Sequence, residues 1–593
     1  MEEIFYMKHI HLINSLSLDE TTKFTKKATG KYYTDPKIAL LMIEKLLPLI
    51  NSCDKKSYNV ADPFSGDGRL ITLLIKQWMI NGFPDVEWNV YLFDIENTGL
   101  TYAKNALSEL KLAGANINIT IKNSDVFYEF KKYVDYFDCV ITNPPWENIK
   151  PDSRELDFFE PSMKSMYIDS LREFDDYLSR VLPYSQPKRK FAGWGTNLSR
   201  VGAELSLEIC NKNGLVAIVM PASFFADEQS YILREKFFNS GRIDCINYYP
   251  AEAKLFGGAD VSSCSFIFNK GESLNDNIQL SVYDKNLNIK SLGFFDLSSI
   301  DSQYLSIPVS QGVHAVHLLR KLQEGYPTWG SLEKNGEIWA GREIDETGSS
   351  DWTQKSGGGL LFIKGKMIGR YNFHNEKSLR ITKKIDKVLS NSNFVRIAWR
   401  DISRPSQKRR MIATIIPPNS LAGNSLGVVY YKSGSQDSLF SLLGIINSLC
   451  FEFQLRSFLA TGHVSLSALR KTAIPSEKIL LQHSELKQLV ISCIEGCCDA
   501  ELKIEAYVAK NIYKLDLNEF NKLLSLSSFS VTSIIISTAP FTAPDTVTGL
   551  AISRYLRSRN SITSSKASPF KAASTALRNS WLRVMDNTFW LLH

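Results

Sequence analysis

The sequence predicts an α/β protein: a mostly parallel sheet with helices on both faces, followed by a mixed α+β domain. Three observations predict it. From about residue 30 to 290, apolar strand-like runs alternate with amphipathic helical ones. The strand-like runs are nearly continuous in apolar residues, as in strands buried on both sides. After about residue 295 the rhythm breaks into shorter strands, polar loops and Gly-rich turns such as "KSGGGLLFIKGKMIGRYNF" (355–373).

Taken in order, "SYNVADPF" (57–64) reads as the first strand and "RLITLLIKQWMING" (69–82) as a helix stopped by Asn81-Gly82. "WNVYLFDI" (88–95) is the second strand and "LTYAKNALSELKLA" (100–113) the second helix. "INITIKNSD" (117–125) and "FDCVITNPP" (137–145) are the third and fourth strands. "LSRVGAELSLEICNK" is a helix leading into the strand "GLVAIVMP" (214–221). The predicted organisation is a lead over 1–29, a first domain over 30–295, a second over 296–480, a helical segment over 481–525 and an atypical, disordered tail over 526–593. The tail is rich in Ser and Thr, has only Asp545 and Asp586 as acids, and shows little period.

Bulk properties narrow the class. The 593 residues suffice for two or three cores, and 44% hydrophobic with 22% charged residues is ordinary for a globular chain. A net charge of +7 is compatible with a polyanion partner without demanding one. Nine scattered cysteines with no C-x2-C pair point to a reduced, intracellular protein and to no metal site. Cys493, Cys497 and Cys498 read as packing residues. The opening "MEEIFYMKHIHLINSLSLDE" has no apolar signal-peptide core, and no run of 18 apolar residues predicts a membrane span.

Two stretches carry chemistry. "VADPFSGDGRLI" (60–71) places an acid, then Gly66 and Gly68, between a strand and a helix. Such a loop lies where open α/β sheets bind ligands. Asp62 ahead of the glycines would repel a pyrophosphate and suits a ligand carrying an ammonium, and Gly-Lys-Ser/Thr is missing, so this is not a P-loop. Asp94 ends the second strand and can accept from both hydroxyls of a ribose, with Glu96 as the competing acid. Asp125 ends the third strand and can take an adenine amino group. Alone, each acid could be a helix cap; three successive strand ends point to a site. The second stretch is "ITNPPWEN" (141–148). Two prolines after an apolar strand forbid further pairing and force a rigid, extended corner. That corner offers the amide of Asn143, a backbone carbonyl and the flat ring of Trp146.

These residues together resemble the amino-methyltransferases that use S-adenosylmethionine. More narrowly, the chain resembles the N6-adenine DNA methyltransferases of type II restriction–modification systems in the gamma arrangement. "TGKYYTDPKIALLMIEKLL" (29–47) matches the first cofactor motif, "DPFSGDG" (62–68) the glycine loop and "NPPW" (143–146) the catalytic tetrapeptide. "GTNLSRVGAELSLEICNKNGLVAIVMPASFF" (195–225) is similar to the later catalytic segment, and the resemblance covers roughly residues 25–480. It implies a Rossmann-like methyltransferase domain and a target-recognition domain. It implies S-adenosylmethionine bound by Tyr32, Thr34, Asp62, Phe64, Gly66, Gly68, Asp94 and Asp125. It implies a flipped base held by Asn143, Pro144, Pro145 and Trp146, with Phe224 and Phe225 as a second aromatic wall or as plain core.

The partner implied is double-stranded DNA. The basic run "RDISRPSQKRR" (400–410) supplies Arg400, Arg404, Lys408, Arg409 and Arg410 as candidate phosphate and base contacts. His463 reads as structural. Few residues precede "GKYYTDP", and no Pro-Asp…Glu-x-Lys set is found elsewhere. The expectation is therefore a bacterial cytoplasmic monomer that methylates without cutting, with a separate restriction endonuclease as its functional partner. Adenine N6 rather than cytosine N4 rests on the resemblance, because both amines suit the same two acceptors. A protein or RNA amino-methyltransferase would share the Asn-Pro-Pro corner but leaves the second domain unexplained. A silent specificity subunit would need neither loop nor tetrapeptide.

Overall fold

The computed structural model describes residues 34–526 except 152–155, 157–159, 189, 191–192, 257–260, 272–276, 301–304, 345–352, 355–358, 375–378, 382–388, 404–406, 460–462 and 498. Tyr32, Arg404, the lead over 1–29 and the tail beyond Leu526 lie outside the described residues.

The first domain is a nine-stranded sheet in the order β3-β2-β1-β4-β5-β7-β6-β8-β9. The first five strands are β1 (Ser57–Asp62), β2 (Glu87–Asp94), β3 (Asn116–Asn123), β4 (Phe137–Thr142) and β5 (Cys210–Pro221), all parallel to their neighbours among the five. Beyond them lie β6 (Gly241–Tyr249), β7 (Ser263–Lys270), β8 (Ile278–Tyr283) and β9 (Ile289–Phe295). Antiparallel β7 is wedged between β5 and β6, and β9 is antiparallel to β8. The sheet is thus mixed, and its parallel half carries the ligand loops.

Side-chain alternation fills both faces. Val60, Val90, Leu92, Ile141 and Ala217 share one core with α1 (Pro36–Ser52), α2 (Arg69–Ile80) and α3 (Asn97–Leu112). Ala61, Phe93, Val140, Val216 and Ile218 face the other core, under α4 (Pro161–Val181) and α5 (Leu198–Ile209). Helix α1 begins where Asp35 accepts the Lys37 N–H at 2.8 Å, with Pro36 in the first turn. Helix α4 is not among the predicted elements. Its signal is nevertheless present: Tyr167, Leu171, Phe174 and Leu178 recur every three to four residues, and all are buried.

After Phe295 the chain builds a second core. An antiparallel sheet runs β10 (Ile338–Gly341), β13 (Leu426–Tyr431), β11 (Arg396–Arg400), β12 (Ala413–Ile416), beside a second four-stranded sheet and a two-stranded one. Leu442, Leu443, Phe451 and Leu455 cover the antiparallel sheet. Leu486, Val490, Ile504 and Leu523, from the 481–525 segment, belong to that same core.

Candidate active site

The site forms at the carboxyl ends of the parallel strands. Asp62 ends β1 and is 1% exposed. Its Oδ1 accepts from the Thr142 hydroxyl at 2.6 Å and from the Phe64 N–H at 3.2 Å. Burial, with Asp94 and Asp67 nearby, pushes the Asp62 carboxyl up to about 7. Thr142 is the last residue of β4, so one hydroxyl ties the glycine loop to the Asn-Pro-Pro corner.

The loop after β1 is held open by backbone donors. Gly66 donates to Asp94 Oδ2 at 2.8 Å, and the Glu96 N–H to Asp94 Oδ1 at 2.8 Å. Gly68 has φ +70°, and a Cβ there would lie 2.4 Å from Ala103 Cβ, so helix α2 can start this close to α3 only without a side chain. Asp125 accepts the Phe127 N–H at 2.9 Å, which is the cap reading of that acid. It also lines the recess, where burial raises its carboxyl to about 7.

The recess brings together Thr34, Asp62, Phe64, Gly66, Asp94, Asp125, Asn143 and Pro145 from the predicted set. Gly68, Pro144 and Trp146 stand outside its lining. Glu96 and Asp67 also border it, and Arg69 is paired with Asp67 at 2.6 Å. A wall of five carboxyl groups beside Ile95, Val126 and Phe127 suits a cationic ligand with hydroxyls and a flat apolar ring. It does not suit a polyphosphate. The acceptor set therefore fits S-adenosylmethionine, whose ammonium Asp62 would take, with Asp94 or Glu96 for the ribose hydroxyls and Asp125 for the amino group.

Asn143 stands between this recess and the Trp146 side. Its Nδ2 donates to the Thr34 hydroxyl at 3.0 Å, and its Oδ1 accepts the Trp146 indole N–H at 3.0 Å. Pro144 is buried beneath α5, and no described donor reaches its carbonyl. Trp146 packs on Phe256, ring centroids 4.4 Å apart and tilted 54°. Asn197 caps α5 and reaches the Trp146 carbonyl at 3.3 Å and Asn148 Oδ1 at 3.0 Å, fixing the corner from its far side.

Five contributors, Thr142, Gly99, Leu198, Gly202 and Phe256, carry no signal in the sequence pattern that marks them as site residues. A Cβ at Gly99 would meet the Gly66 carbonyl at 2.4 Å, and one at Gly202 would meet Pro144 Cβ at 2.4 Å. Such close approaches show only in three dimensions. Phe224 and Phe225 resolve to their core alternative: both are buried, and Phe224 stacks on Phe266 at 5.5 Å.

The basic run differs from the expected open, phosphate-facing patch. Arg400 donates through Nε to the Ile368 carbonyl at 3.0 Å. Arg409 pairs with Glu505 inside the second core, and Arg410, 4% exposed, donates to the Ser403 carbonyl at 2.9 Å. The Glu452 carboxylate gathers the Arg410 and Met411 N–H groups, and Arg456 as well. These guanidinium groups knit the 400–410 segment to the helices behind it. Lys408 is the exposed cation among the described residues of the run.

Residues 15–172 match the N-6 DNA Methylase family. No curated protein matches the chain. Among solved structures, it is similar to the type IIL restriction-modification enzyme MmeI in complex with DNA. There it is 12% identical over 93% of this chain and 77% of that one, with a TM-score of 0.46. It is also similar to the type IIG restriction endonuclease BpuSI (13% identical, 85% of this chain and 65% of that one, TM-score 0.38). A third is the methyltransferase subunit of a type I restriction-modification system from Streptococcus thermophilus (19%, 44% of this chain and 49% of that one, TM-score 0.28). The chain spans under two thirds of the last two. Together with the matched family, the parallel half-sheet and its acid-lined recess describe a Rossmann-like methyltransferase core with additional domains.

Proposed function

We propose that this chain is a site-specific DNA methyltransferase that transfers the methyl group of S-adenosylmethionine to N6 of adenine. The observation that carries the proposal is the position of Asn143, on the border of the acid-lined recess and hydrogen-bonded to the Trp146 ring. An exocyclic aromatic amine is a poor nucleophile because its lone pair is delocalised into the ring. Asn143 Oδ1 and the Pro144 carbonyl can each accept one of its N–H groups. Holding both hydrogens in this way turns the nitrogen toward tetrahedral geometry and localises the lone pair. Bound in the recess, S-adenosylmethionine supplies the electrophilic methyl. The base has to leave the duplex to reach the corner, and Trp146, backed by Phe256, gives it a stacking face.

The second domain carries the recognition of duplex DNA in this proposal, and the chain acts as a monomer in a bacterial cytoplasm. Its functional partner is a separate restriction endonuclease that cuts the unmethylated sequence. The test is to incubate the protein with labelled S-adenosylmethionine and bacterial plasmid DNA and to identify the modified base. N6-methyladenine in one repeated sequence is expected. N4-methylcytosine would keep the corner's chemistry and change the substrate. Label in RNA or protein, with none in DNA, would overturn the proposal.

A further inference from the structure

The second domain's arginines fall into two kinds. Arg396, Arg400, Arg409 and Arg410 turn their guanidinium groups into the fold: Arg396 onto Glu343, Arg400 onto the Ile368 carbonyl, Arg409 onto Glu505 and Arg410 onto the Ser403 carbonyl. Arg342, directly after β10, does the opposite. Its side chain is 54% exposed, but its anchor is Asp401, only 8% exposed, which takes the Arg342 Nη2 at 2.9 Å. The same Asp401 oxygen takes His463 Nδ1 at 2.9 Å, and His463 is 56% exposed. Asp401 is itself fixed on both sides: its N–H donates to the Ser425 carbonyl at 3.0 Å, and its carbonyl accepts from Val464 at 2.7 Å. Ile402, 63% exposed, is bridged to His463. One buried carboxylate thus holds an exposed arginine in a set position on a rigid platform.

The buried Asp401 oxygen also has His463 as a partner, so Arg342 is not the sole group satisfying that carboxylate, and more than half of its side chain stays in solvent. A planar guanidinium fixed before contact is suited to two parallel hydrogen bonds, because little side-chain freedom is lost on binding. The matching edge in the major groove is O6 and N7 of guanine. The platform is also in the right place. Ser403, two residues from Asp401, holds Arg410, and Arg410 lines a cleft with Ser223, Tyr248 and Pro250 from the carboxyl ends of β5 and β6. Of these, β5 lies beside β4, and Asn143 directly follows β4. Beyond His463, Ser467 reaches Glu228 on the loop that follows β5, at 2.7 Å. The platform therefore borders the face a duplex has to approach to deliver a base to Asn143.

We infer that Arg342 reads a guanine in the recognition sequence, with Asp401 as its positioning residue; the inference rests on the proposed DNA methylation. The test is to map methylated sites on DNA carrying all short sequence contexts, for the unmodified protein and for Arg342→Ala, Arg342→Lys and Asp401→Asn. In Arg342→Ala, one guanine of the methylated sequence is expected to become degenerate. Transfer at the original site falls about ten- to a hundredfold, while cofactor affinity is kept. Arg342→Lys keeps the charge but loses the fork, so it relaxes the same position. Asp401→Asn relaxes it as well, which a purely structural role would not do. DNA methylation by all three variants with an unchanged sequence requirement overturns the inference and leaves the proposed function standing. No methylation of DNA by the unmodified protein overturns both.

Discussion

The indole N–H of Trp146 donates to Oδ1 of Asn143 at 3.0 Å, while Asn143 Nδ2 donates to the Thr34 hydroxyl at 3.0 Å. An indole nitrogen can only donate, so the amide atom facing it has to be oxygen. The tetrapeptide thereby orients its own acceptor: the fourth residue decides which end of the first one is presented. Trp146→Phe keeps a stacking ring and removes that donor. It is expected to lower kcat about tenfold or more, with base affinity nearly kept. Single-turnover transfer set beside DNA binding checks this, and equal losses in both would contradict it.

Gly202 gives a steric test of the same corner. A Cβ there would sit 2.4 Å from Pro144 Cβ and 3.0 Å from the Phe64 ring. Neither the proline nor the packed ring can move cheaply. Gly202→Ala is expected to cost about 1–3 kcal/mol in denaturant unfolding. It is also expected to slow transfer more than it weakens cofactor binding, because it pushes on the corner rather than on the recess.

Asp62 makes a prediction in pH. Burial raises its carboxyl from 3.8 to about 7. Between those values the folded chain holds a proton that the unfolded chain has lost, so this group's contribution to stability declines as pH rises from about 4 to about 7 and is level above. Asn cannot ionise, so Asp62→Asn is expected to gain stability relative to the unmodified protein across that window, read as a Tm series. Cofactor affinity should run the other way. An ammonium needs the ionised carboxylate, so affinity of the unmodified protein rises from pH 6 to 7.5, and that of the variant is weaker and flat. Parallel pH profiles in both proteins would contradict the assignment.

The basic run separates fold from DNA contact. Arg409 and Glu505 are 11% and 3% exposed, and without Arg409 the Glu505 carboxylate keeps only the longer Arg370 contact at 3.8 Å and the Leu449 N–H at 2.7 Å among the described contacts. Arg409→Ala is expected to lose about 1–3 kcal/mol of stability. Lys408→Ala should leave stability unchanged and reduce the salt dependence of DNA binding by about one counterion. Normal unfolding of the Arg409 variant would show that its pairing with Glu505 carries no weight.

The parallel half-sheet was legible because its strands are continuous apolar runs closed by acids, and Val60, Ile141 and Ala217 all fall where that pattern puts them. The recess was legible through Asp62, Asp94 and Asp125, because strand-end acids recur at one edge of such a sheet. Packing partners were not legible. Gly202 under Pro144 and Phe256 against Trp146 join residues far apart in the chain. The antiparallel wedge of β7 leaves no local mark, since Ser263–Lys270 reads like any buried strand. The basic run misled for a related reason: charge is visible in a sequence, but the acids that tie the run into the fold, Glu452 and Glu505, lie 40 to 100 residues away.

The most direct measurement is methyl transfer to DNA by Asn143→Ala beside the unmodified protein, with cofactor affinity determined on both. Loss of at least a hundredfold in single-turnover transfer, with cofactor affinity within a few-fold, is the expected result. Transfer to DNA that survives the substitution would contradict the assignment of Asn143 as the acceptor that activates the target amine.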